Sequence, residues 1–211
     1  MTTPRRALII VDVQQEYFDG ILQIQFPPRE ESLANILQVI DSAEQHHLPV
    51  VVVQHQFPDG APIFAEGSPS WQLHPEIEKR ATESWKRVTK SYASVFAGTQ
   101  VASWLADQGV DSITIVGYMT NNCDIATAAA AEELGLTVEI LSDATGAIHL
   151  ANDQGKVDAR QLHETLMTLL HSNFATVATT EAWTNALDNG VALAKSDLGT
   201  SATNGRAAFG A

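Results

Sequence analysis

The stretch IVGYMTNNCDIATAAAAEELG, residues 115–135, contains the signals that decide the fold. Its apolar, β-branched start belongs to a buried strand that we place at Ser112–Gly117. A polar turn follows, and the alanine-rich run Cys123–Leu134 is typical of a helix that stops at Gly135. A buried strand that passes through a short turn into a helix is one half of a parallel β–α–β unit.

The same alternation of strands and helices recurs along the chain. Strands without polar alternation are buried on both faces, and alternation with helices makes the sheet parallel. We therefore predict an α/β fold with three layers, in which helices flank a doubly wound parallel sheet. The predicted strands are Ala7–Val13, Pro49–Gln54, Lys86–Lys90, Ser112–Gly117, Leu136–Leu141 and Ala175–Thr179, and the predicted helices are Glu30–His47, Val101–Gln108, Cys123–Leu134, Val157–Leu170 and Thr180–Leu187.

Two regions depart from this alternation. Residues 55–86 contain several prolines and glycines and predict a long loop with one short helical turn. A structureless loop of that length in a compact domain is often functional. Residues 189–211 are rich in Gly, Ala, Ser, Thr and Asn, so we expect a flexible tail or one that is draped on a partner subunit. The folded domain then spans residues 1–188.

Length, charge and cysteine content exclude several classes of protein. A chain of 211 residues is long enough to bury a sizeable core. The formal net charge of -13 argues against binding to nucleic acid or to an anionic membrane surface, since both need clustered Lys and Arg. No apolar run reaches the roughly 18 residues that a transmembrane helix needs. The single cysteine excludes an intramolecular disulfide, and a free thiol is typical of the cytoplasm.

Reactive side chains follow three of the predicted strands. Asp12 lies at the end of the first strand, Lys90 ends the third, and Cys123 follows the fourth. Ligands bind at the carboxyl ends of parallel strands, so we expect these groups to meet. A helix N-terminus and a nearby cation lower the pKa of a thiol, and Asp12 could then accept its proton. Taken singly, each residue also fits a structural role, as a buried apolar thiol, a capping carboxylate or a surface amine.

Three motifs resemble the isochorismatase-like cysteine hydrolases, which include nicotinamidases, N-carbamoylsarcosine amidases, ureido-acid amidohydrolases and isochorismatases. The motifs are LIIVDVQQEYF with Asp12, KSYASVFAGTQVASWL with Lys90, and the opening stretch with Cys123. The resemblance covers roughly residues 5–188, and so identifies the predicted domain. It implies a six-stranded parallel sheet, an Asp12–Lys90–Cys123 catalytic triad and a homodimer or homotetramer. It also implies a cis peptide at Tyr118–Met119 and an oxyanion hole made of the Met119 and Cys123 N–H groups.

Histidines mark a departure from one branch of this superfamily. Nicotinamidases have an Asp-x-His cluster after the second strand that binds a divalent metal, whereas His55 and Phe57 stand at that place here. Histidines without a carboxylate make a poor site for a hard metal, so we predict no metal and no other cofactor. We expect His55 and His74 to form loop hydrogen bonds, or His55 to line the substrate pocket. His163 and His171 are expected at the surface or at an interface.

The predicted function is hydrolysis of a C–N bond in a small amide, carbamoyl or lactam substrate through a thioester. The run EGSPSWQLHPEI most resembles a metal-free group that includes streptothricin hydrolase. Two alternatives stay open: isochorismatase-type cleavage of a vinyl ether with Asp12 as general acid, and a catalytically idle protein that binds a small molecule. The predicted substrate-binding residues are Gln14, Phe18, His55, Trp71, Tyr92, Tyr118 and Asn122.

Overall fold

The computed structural model describes residues 3–210 and contains a six-stranded sheet and a two-stranded hairpin. Residues 1, 2 and 211, at the ends of the predicted domain and tail, lie outside the described residues. The strands are Arg6–Val11 (β1), Val50–His55 (β2), Lys86–Lys90 (β3), Ser112–Tyr118 (β4), Thr137–Gly146 (β5), Leu150–Asn152 (β6), Gly155–Val157 (β7) and Thr176–Ala178 (β8). The helices are Arg29–Gln45 (α1), Pro75–Glu78 (α2), Val101–Asp107 (α3), Ile125–Glu133 (α4), Ala159–Ser172 (α5), Thr180–Asp188 (α6) and Leu198–Phe209 (α7).

The large sheet has the strand order β3-β2-β1-β4-β5-β8, and all of its pairs are parallel. The order reverses between β1 and β4, and such a switch point is where open α/β sheets form a ligand crevice. At this point Val11 of β1 pairs with Gly117 of β4. A Cβ atom on Gly117 would lie 2.0 Å from the Val11 carbonyl oxygen, so only glycine allows the two strands to approach this closely.

Helices cover both faces of the sheet, which gives the three predicted layers. One face packs against α1 and α6, through side chains such as Ile36 and Trp183. The other face packs against α3, α4 and α5, through Leu105, Ala128 and Leu170. Strands β1, β2 and β4, at the centre of the sheet, are almost entirely buried, as their largely apolar sequences predict. The α/β prediction and the six parallel strands are thus confirmed.

The start of one helix differs from the prediction, and one hairpin was not predicted. The helix predicted from Cys123 begins at Ile125, because Thr120–Asp124 first forms a wider π turn. Residues 55–86 contain the single short helix that was expected there, α2. The hairpin β6–β7 was not predicted, because its two three-residue strands are mostly exposed and so have no apolar pattern.

The predicted tail contains the helix α7. Asp197 caps this helix by accepting a hydrogen bond of 2.8 Å from the Thr200 N–H. No α7 residue is buried, although the helix contacts α5, so no apolar periodicity marked it in the sequence. Among the described helices, none is both long and apolar enough to cross a membrane.

Candidate active site

Four neighbouring strands each place one polar side chain at the carboxyl edge of the sheet. Lys90 ends β3, His55 ends β2 beside it in register, Asp12 follows β1, and Cys123 follows β4. All four are buried, with relative exposures of 2%, 6%, 0% and 1%, respectively. The structure therefore brings the three residues of the predicted triad together, and it adds His55 to them.

The Lys90 ammonium group lies at the centre of this cluster. Its Nζ atom is 2.6 Å from Asp12 Oδ2, 2.9 Å from His55 Nδ1 and 3.2 Å from Cys123 Sγ. The ammonium group donates hydrogen bonds to His55 and Cys123, and its close contact with Asp12 is an ion pair. His55 must accept at Nδ1, and its ring is therefore neutral with the proton on Nε2. Burial, together with the charge of Lys90, lowers the pKa of His55 to about 4.

The side chains around Lys90 include three groups that could bind a metal ion, but the Lys90 ammonium group already lies between them. One ligand atom each from Asp12, His55 and Cys123 lies within 4.8 Å of the others. These same groups converge on Lys90 Nζ, so a metal ion at this place would have to displace the ammonium group. His74 lies outside the cluster and caps α2, where its Nδ1 accepts from the Glu76 N–H at 3.2 Å. The sequence prediction of no metal stays a prediction.

Charge and burial oppose each other at the triad. Burial raises the pKa of Asp12, and Lys90 lowers it by less. Burial also raises the pKa of the Cys123 thiol, and the charge of Asp12 raises it further against the effect of Lys90. For Lys90, burial alone would lower the pKa, but Asp12 and Cys123 together raise it. The expected low thiol pKa is therefore wrong for the free protein, because the sequence did not show how deeply Cys123 and Asp12 are buried together.

Local backbone geometry holds the reacting groups. Asp12 has a φ of 48°, a left-handed conformation that costs a non-glycine residue about 1–3 kcal/mol. Its N–H donates to the Val53 carbonyl at 3.1 Å, which ties it to β2. The Met119 carbonyl accepts from the N–H groups of Asn122 and Asp124, which closes the π turn around Cys123. The Tyr118–Met119 peptide bond is cis. The oxyanion hole of Met119 and Cys123 N–H groups stays a prediction.

Three of the predicted substrate-binding residues have their polar groups engaged by the protein. The Gln14 amide accepts from the His55 N–H and donates to the carbonyls of His55 and Trp71, so its two N–H groups are not available to a substrate. The Tyr118 hydroxyl is hydrogen-bonded to Ser32 Oγ at 2.7 Å. Tyr118 can offer a substrate its ring only, and His55 offers its ring and Nε2.

The other four predicted pocket residues lie in different surroundings. The Phe18 ring packs against Tyr118, with centroids 5.9 Å apart. Trp71 is half-buried, and its indole N–H has no hydrogen-bond partner within residues 3–210. Tyr92 is 64% exposed, and Asn122 is exposed as well. The structure thus places Phe18 against the Tyr118 ring but leaves Tyr92 and Asn122 at the surface.

His163 was expected at the surface or at an interface, and the structure shows instead that it is buried within the fold. It is buried at 3% exposure. Its Nδ1 is hydrogen-bonded to Thr120 Oγ1 at 2.9 Å, and its Nε2 to the Ser142 carbonyl at 2.9 Å, so it supports the π turn from behind. The signal that could have identified it is its position four residues from both Ala159 and Met167, on the apolar face of α5. His171 is half-buried and accepts from the Val177 N–H.

Sequence reasoning missed two residues beside the triad. Tyr17 is 1% exposed, and its ring lies 5.4 Å from those of Tyr118 and Phe64. Asp124 is fully buried next to Cys123, and neither of its carboxylate oxygens has a hydrogen-bond partner among the described residues. The available signal was a charged residue in a run that is otherwise made of small and apolar side chains.

Comparisons with known proteins agree with the fold and the motifs. A family model for the isochorismatase domain matches residues 6–182. The crystal structure of a protein from Burkholderia xenovorans LB400, assigned as an isochorismatase, has a TM-score of 0.96 and 43% identity and is matched over 100% of both chains. The secreted isochorismatase effector Isc1 of Verticillium dahliae is 31% identical over 180 residues, which are 85% of this chain and 90% of the effector.

The sequence of this chain is also similar to that of streptothricin hydrolase. The Streptomyces noursei enzyme is 30% identical over 141 residues, which are 67% of this chain and 54% of that enzyme. The family model covers most of the chain, and the six-stranded sheet and the three motifs agree with it. The chain therefore belongs to the isochorismatase family.

Proposed function

We propose that this protein is a cysteine hydrolase that cleaves a C–N bond of a small amide, carbamoyl or lactam substrate through a thioester. One observation carries the proposal: a single ammonium group, Lys90 Nζ, lies within 3.2 Å of both the only thiol and a buried carboxylate. A thiol, a base and a cation that orients both are the parts that nucleophilic catalysis needs.

The first half of the reaction forms the thioester. Cys123 Sγ attacks the carbonyl carbon as the thiol proton passes to Asp12, which acts as general base. The raised pKa of Asp12 makes it a better acceptor for that proton. The carbonyl electron pair moves onto oxygen, where the N–H groups of Met119 and Cys123 stabilise it. The C–N bond then breaks, and Asp12 returns the proton to the leaving nitrogen.

The second half releases the acid. Water attacks the thioester carbon and gives one proton to Asp12. The C–S bond breaks, and the Cys123 sulfur takes the proton back from Asp12, so the enzyme returns to its starting state. Lys90 keeps its charge throughout, because its ion pair with Asp12 and its hydrogen bond to Cys123 favour the ammonium form.

Family membership supports the reaction class. The likeness to streptothricin hydrolase points to hydrolysis, and the retained thiol favours a covalent route over cleavage of a vinyl ether, which needs only an acid. The triad also argues against an idle binding protein, because a purely structural cysteine has no need of an adjacent carboxylate and ammonium.

A substrate screen tests the proposal. Small primary amides, ureido acids and lactams are incubated with the wild-type protein and with Cys123→Ala, and release of ammonia or amine is measured. We expect release by the wild type and none by Cys123→Ala, with circular dichroism showing that the variant is folded. Full activity of Cys123→Ala on the same substrate would refute the covalent mechanism and favour the vinyl-ether type of chemistry.

A further inference from the structure

The thiol that the proposed reaction uses is closed off from the surface. Cys123 is 1% exposed, and Lys90 and Asp12 beside it are 2% and 0% exposed. A substrate is larger than a water molecule, and its carbonyl carbon must come into contact with Cys123 Sγ to react. Part of the cover over the triad therefore has to move when a substrate enters, as loops do in many enzymes.

One half of the long loop after β2 is firmly attached to the fold. In residues 68–74, the carbonyls of Ser70 and Gln72 accept hydrogen bonds of 2.8 and 2.9 Å from the N–H groups of Glu16 and Gln15. These bonds hold the segment to the chain that follows β1. Residues 68–74 are therefore a fixed part of the cover.

The other half of the loop, residues 58–67, is attached differently, and we call it the flap. In the part of the chain that the structure describes, the flap makes no hydrogen bond to any residue outside 57–68. The Phe57 N–H donates to the Phe64 carbonyl at 2.9 Å, and the Glu66 N–H donates to the Phe57 carbonyl at 3.1 Å. These bonds close the flap on itself, and it packs against the site through apolar side chains.

Phe64 is the side chain through which the flap reaches the active site. It is 3% exposed, and the centroid of its ring lies 5.2 Å from that of His55 and 5.4 Å from that of Tyr17. His55 Nδ1 is 2.9 Å from Lys90 Nζ, the atom that contacts Cys123 Sγ at 3.2 Å. The Phe64 ring thus closes the side of the triad at which His55 lies.

The backbone of the flap opposes this closed arrangement. Phe64 has a φ of 49°, which is a strained conformation for a bulky residue, and Gly67 at the base of the flap has a φ of 77°. Burial of the Phe64 ring favours the closed flap, whereas the strain at its own backbone favours release. A segment with few attachments and stored strain opens more readily than the hydrogen-bonded residues 68–74.

We propose that the flap is a lid over Cys123 and that Phe64 is its gate, which leaves His55 to admit a substrate and returns to close the site. The inference rests on the proposed function, because it takes Cys123 as the place of reaction, and it adds how that place is reached. Closure keeps bulk water from the thiol during attack, and opening lets the amine leave and water enter.

The rate at which a small neutral reagent modifies Cys123 tests the proposal. Methyl methanethiosulfonate forms a mixed disulfide with this thiol, the only one in the chain, and releases methanesulfinate, which intact mass follows. Gly67→Ala should react about fivefold faster than the wild type or more, because alanine is strained at that φ and opening relieves the strain. A Cβ atom at Gly67 meets no atom within 4 Å, so the closed site itself stays unchanged.

Gly135→Ala is the matched control. Gly135 has a φ of 68°, and a Cβ atom there also meets no atom within 4 Å, but it lies beyond the end of α4 and outside the flap. It carries the same kind of strain, so the modification rate should equal that of the wild type. Phe64→Ala removes the gate itself and should raise the rate by about tenfold or more.

Hydrogen exchange of the wild type tests the lid without any substitution. The N–H groups of Phe57 and Glu66 form the bonds that close the flap, and those of Gln15 and Glu16 form the bonds to residues 68–74. Relative to intrinsic rates, we expect the first pair to exchange about tenfold faster than the second or more, as measured by NMR of the single amides.

The outcomes separate this inference from the proposed function. Equal exchange of the two pairs, a wild-type modification rate in both Gly67→Ala and Phe64→Ala, or an equal rise in Gly135→Ala and Gly67→Ala would overturn the lid and leave amide hydrolysis standing. The exchange measurement decides the matter even if Phe64→Ala does not fold. Fast exchange and faster modification, together with no amide released in the substrate screen, would support the lid and refute hydrolysis.

Discussion

The protein buries two pairs of opposite charges, one toward each end of β1, and they differ in how completely their atoms are paired. At the start of β1, Arg6 donates three hydrogen bonds of 2.9–3.1 Å to Glu139 of β5. Thr114 and Trp183 also donate to Glu139, at 2.9 and 3.0 Å. This cluster has no unpaired carboxylate oxygen, and it joins β1, β4, β5 and α6.

The cluster at the other end of β1 is organised differently. Lys90 contacts Asp12, His55 and Cys123, but the carboxylate oxygens of Asp12, apart from this ion pair, and those of Asp124 have no hydrogen-bond partner among the described residues. Asp12 also adopts a left-handed backbone, whereas Arg6 lies in a regular strand. The comparison teaches that burial of charge alone does not mark a functional site. Charged groups that satisfy each other stabilise the fold, whereas buried carboxyl groups left without a hydrogen-bond partner do not contribute in that way.

The largest expected effect comes from removing one carboxylate charge from each cluster and measuring hydrolysis. With an amide found by the screen, Asp12→Asn should lower kcat/KM by about 10²–10⁴-fold, because the general base is lost. Glu139→Gln should leave kcat/KM per folded molecule within about twofold, since Glu139 touches no triad residue. Equal losses in the two variants would break the distinction between a structural and a catalytic cluster.

The free energy of unfolding should depend more on the Arg6–Glu139 cluster than on the triad, which is the reverse of the order expected for activity. Glu139→Ala leaves Arg6 buried without its partner, and breaking a buried pair in this way costs about 3–5 kcal/mol of the free energy of unfolding. The double variant Arg6→Met, Glu139→Leu should recover most of that loss, because no charge is then left unpaired. Urea unfolding measures both variants. A loss below about 1 kcal/mol in Glu139→Ala would show that this cluster does not stabilise the sheet.

A smaller effect is expected from His55, which accepts a hydrogen bond from Lys90. His55→Leu leaves one N–H of the ammonium group unpaired, a change worth about 1–3 kcal/mol, so kcat should fall about tenfold or more. In His55→Asn the side-chain oxygen can replace Nδ1, and most of the activity should return. Equal kcat values for the Leu and Asn variants would mean that the hydrogen bond to Lys90 has no positioning role.

A further difference concerns the pH dependence of stability, and its effect at any one pH step is small. The pKa of Asp124 is raised by burial from its ordinary 3.8, so above that pH the unfolded chain loses this proton while the folded chain retains it. Stability at this site therefore falls as pH rises, by at most about 1.4 kcal/mol per pH unit. Unfolding measured from pH 4 to 8 should show that the free energy of unfolding of Asp124→Asn rises relative to that of the wild type as pH increases. A constant difference would contradict the burial of an unpaired carboxylate.

The sequence predicted most of the fold because the fold depends on local patterns. Continuous apolar strands such as β1 and β4 identify a sheet buried on both faces, and strand ends identify Asp12, Lys90 and Cys123. Residues whose roles depend on tertiary contacts were harder to place. Whether Asp124 has a partner depends on which donors fold around it, and no pattern in the sequence records that.

Two further differences have the same physical origin. The helix N-terminus and Lys90 predicted a low thiol pKa, but burial beside Asp12, whose depth no sequence pattern records, outweighs both. The sequence also placed His163 outside the core, because a histidine is polar, whereas hydrogen bonds to Thr120 and Ser142 satisfy it there. The exposed helix α7 and the hairpin β6–β7 were missed because neither presents a repeated apolar face.

The central claim is that Cys123 attacks the substrate, and the mass of the intact protein during turnover tests it most directly. The protein is mixed with an amide that it hydrolyses, quenched in acid at times from milliseconds to steady state, and weighed by mass spectrometry. We predict a population heavier by the acyl group of the substrate, attached to Cys123 and absent from Cys123→Ser. Unmodified protein at every quench time, while product accumulates, would contradict a thioester intermediate.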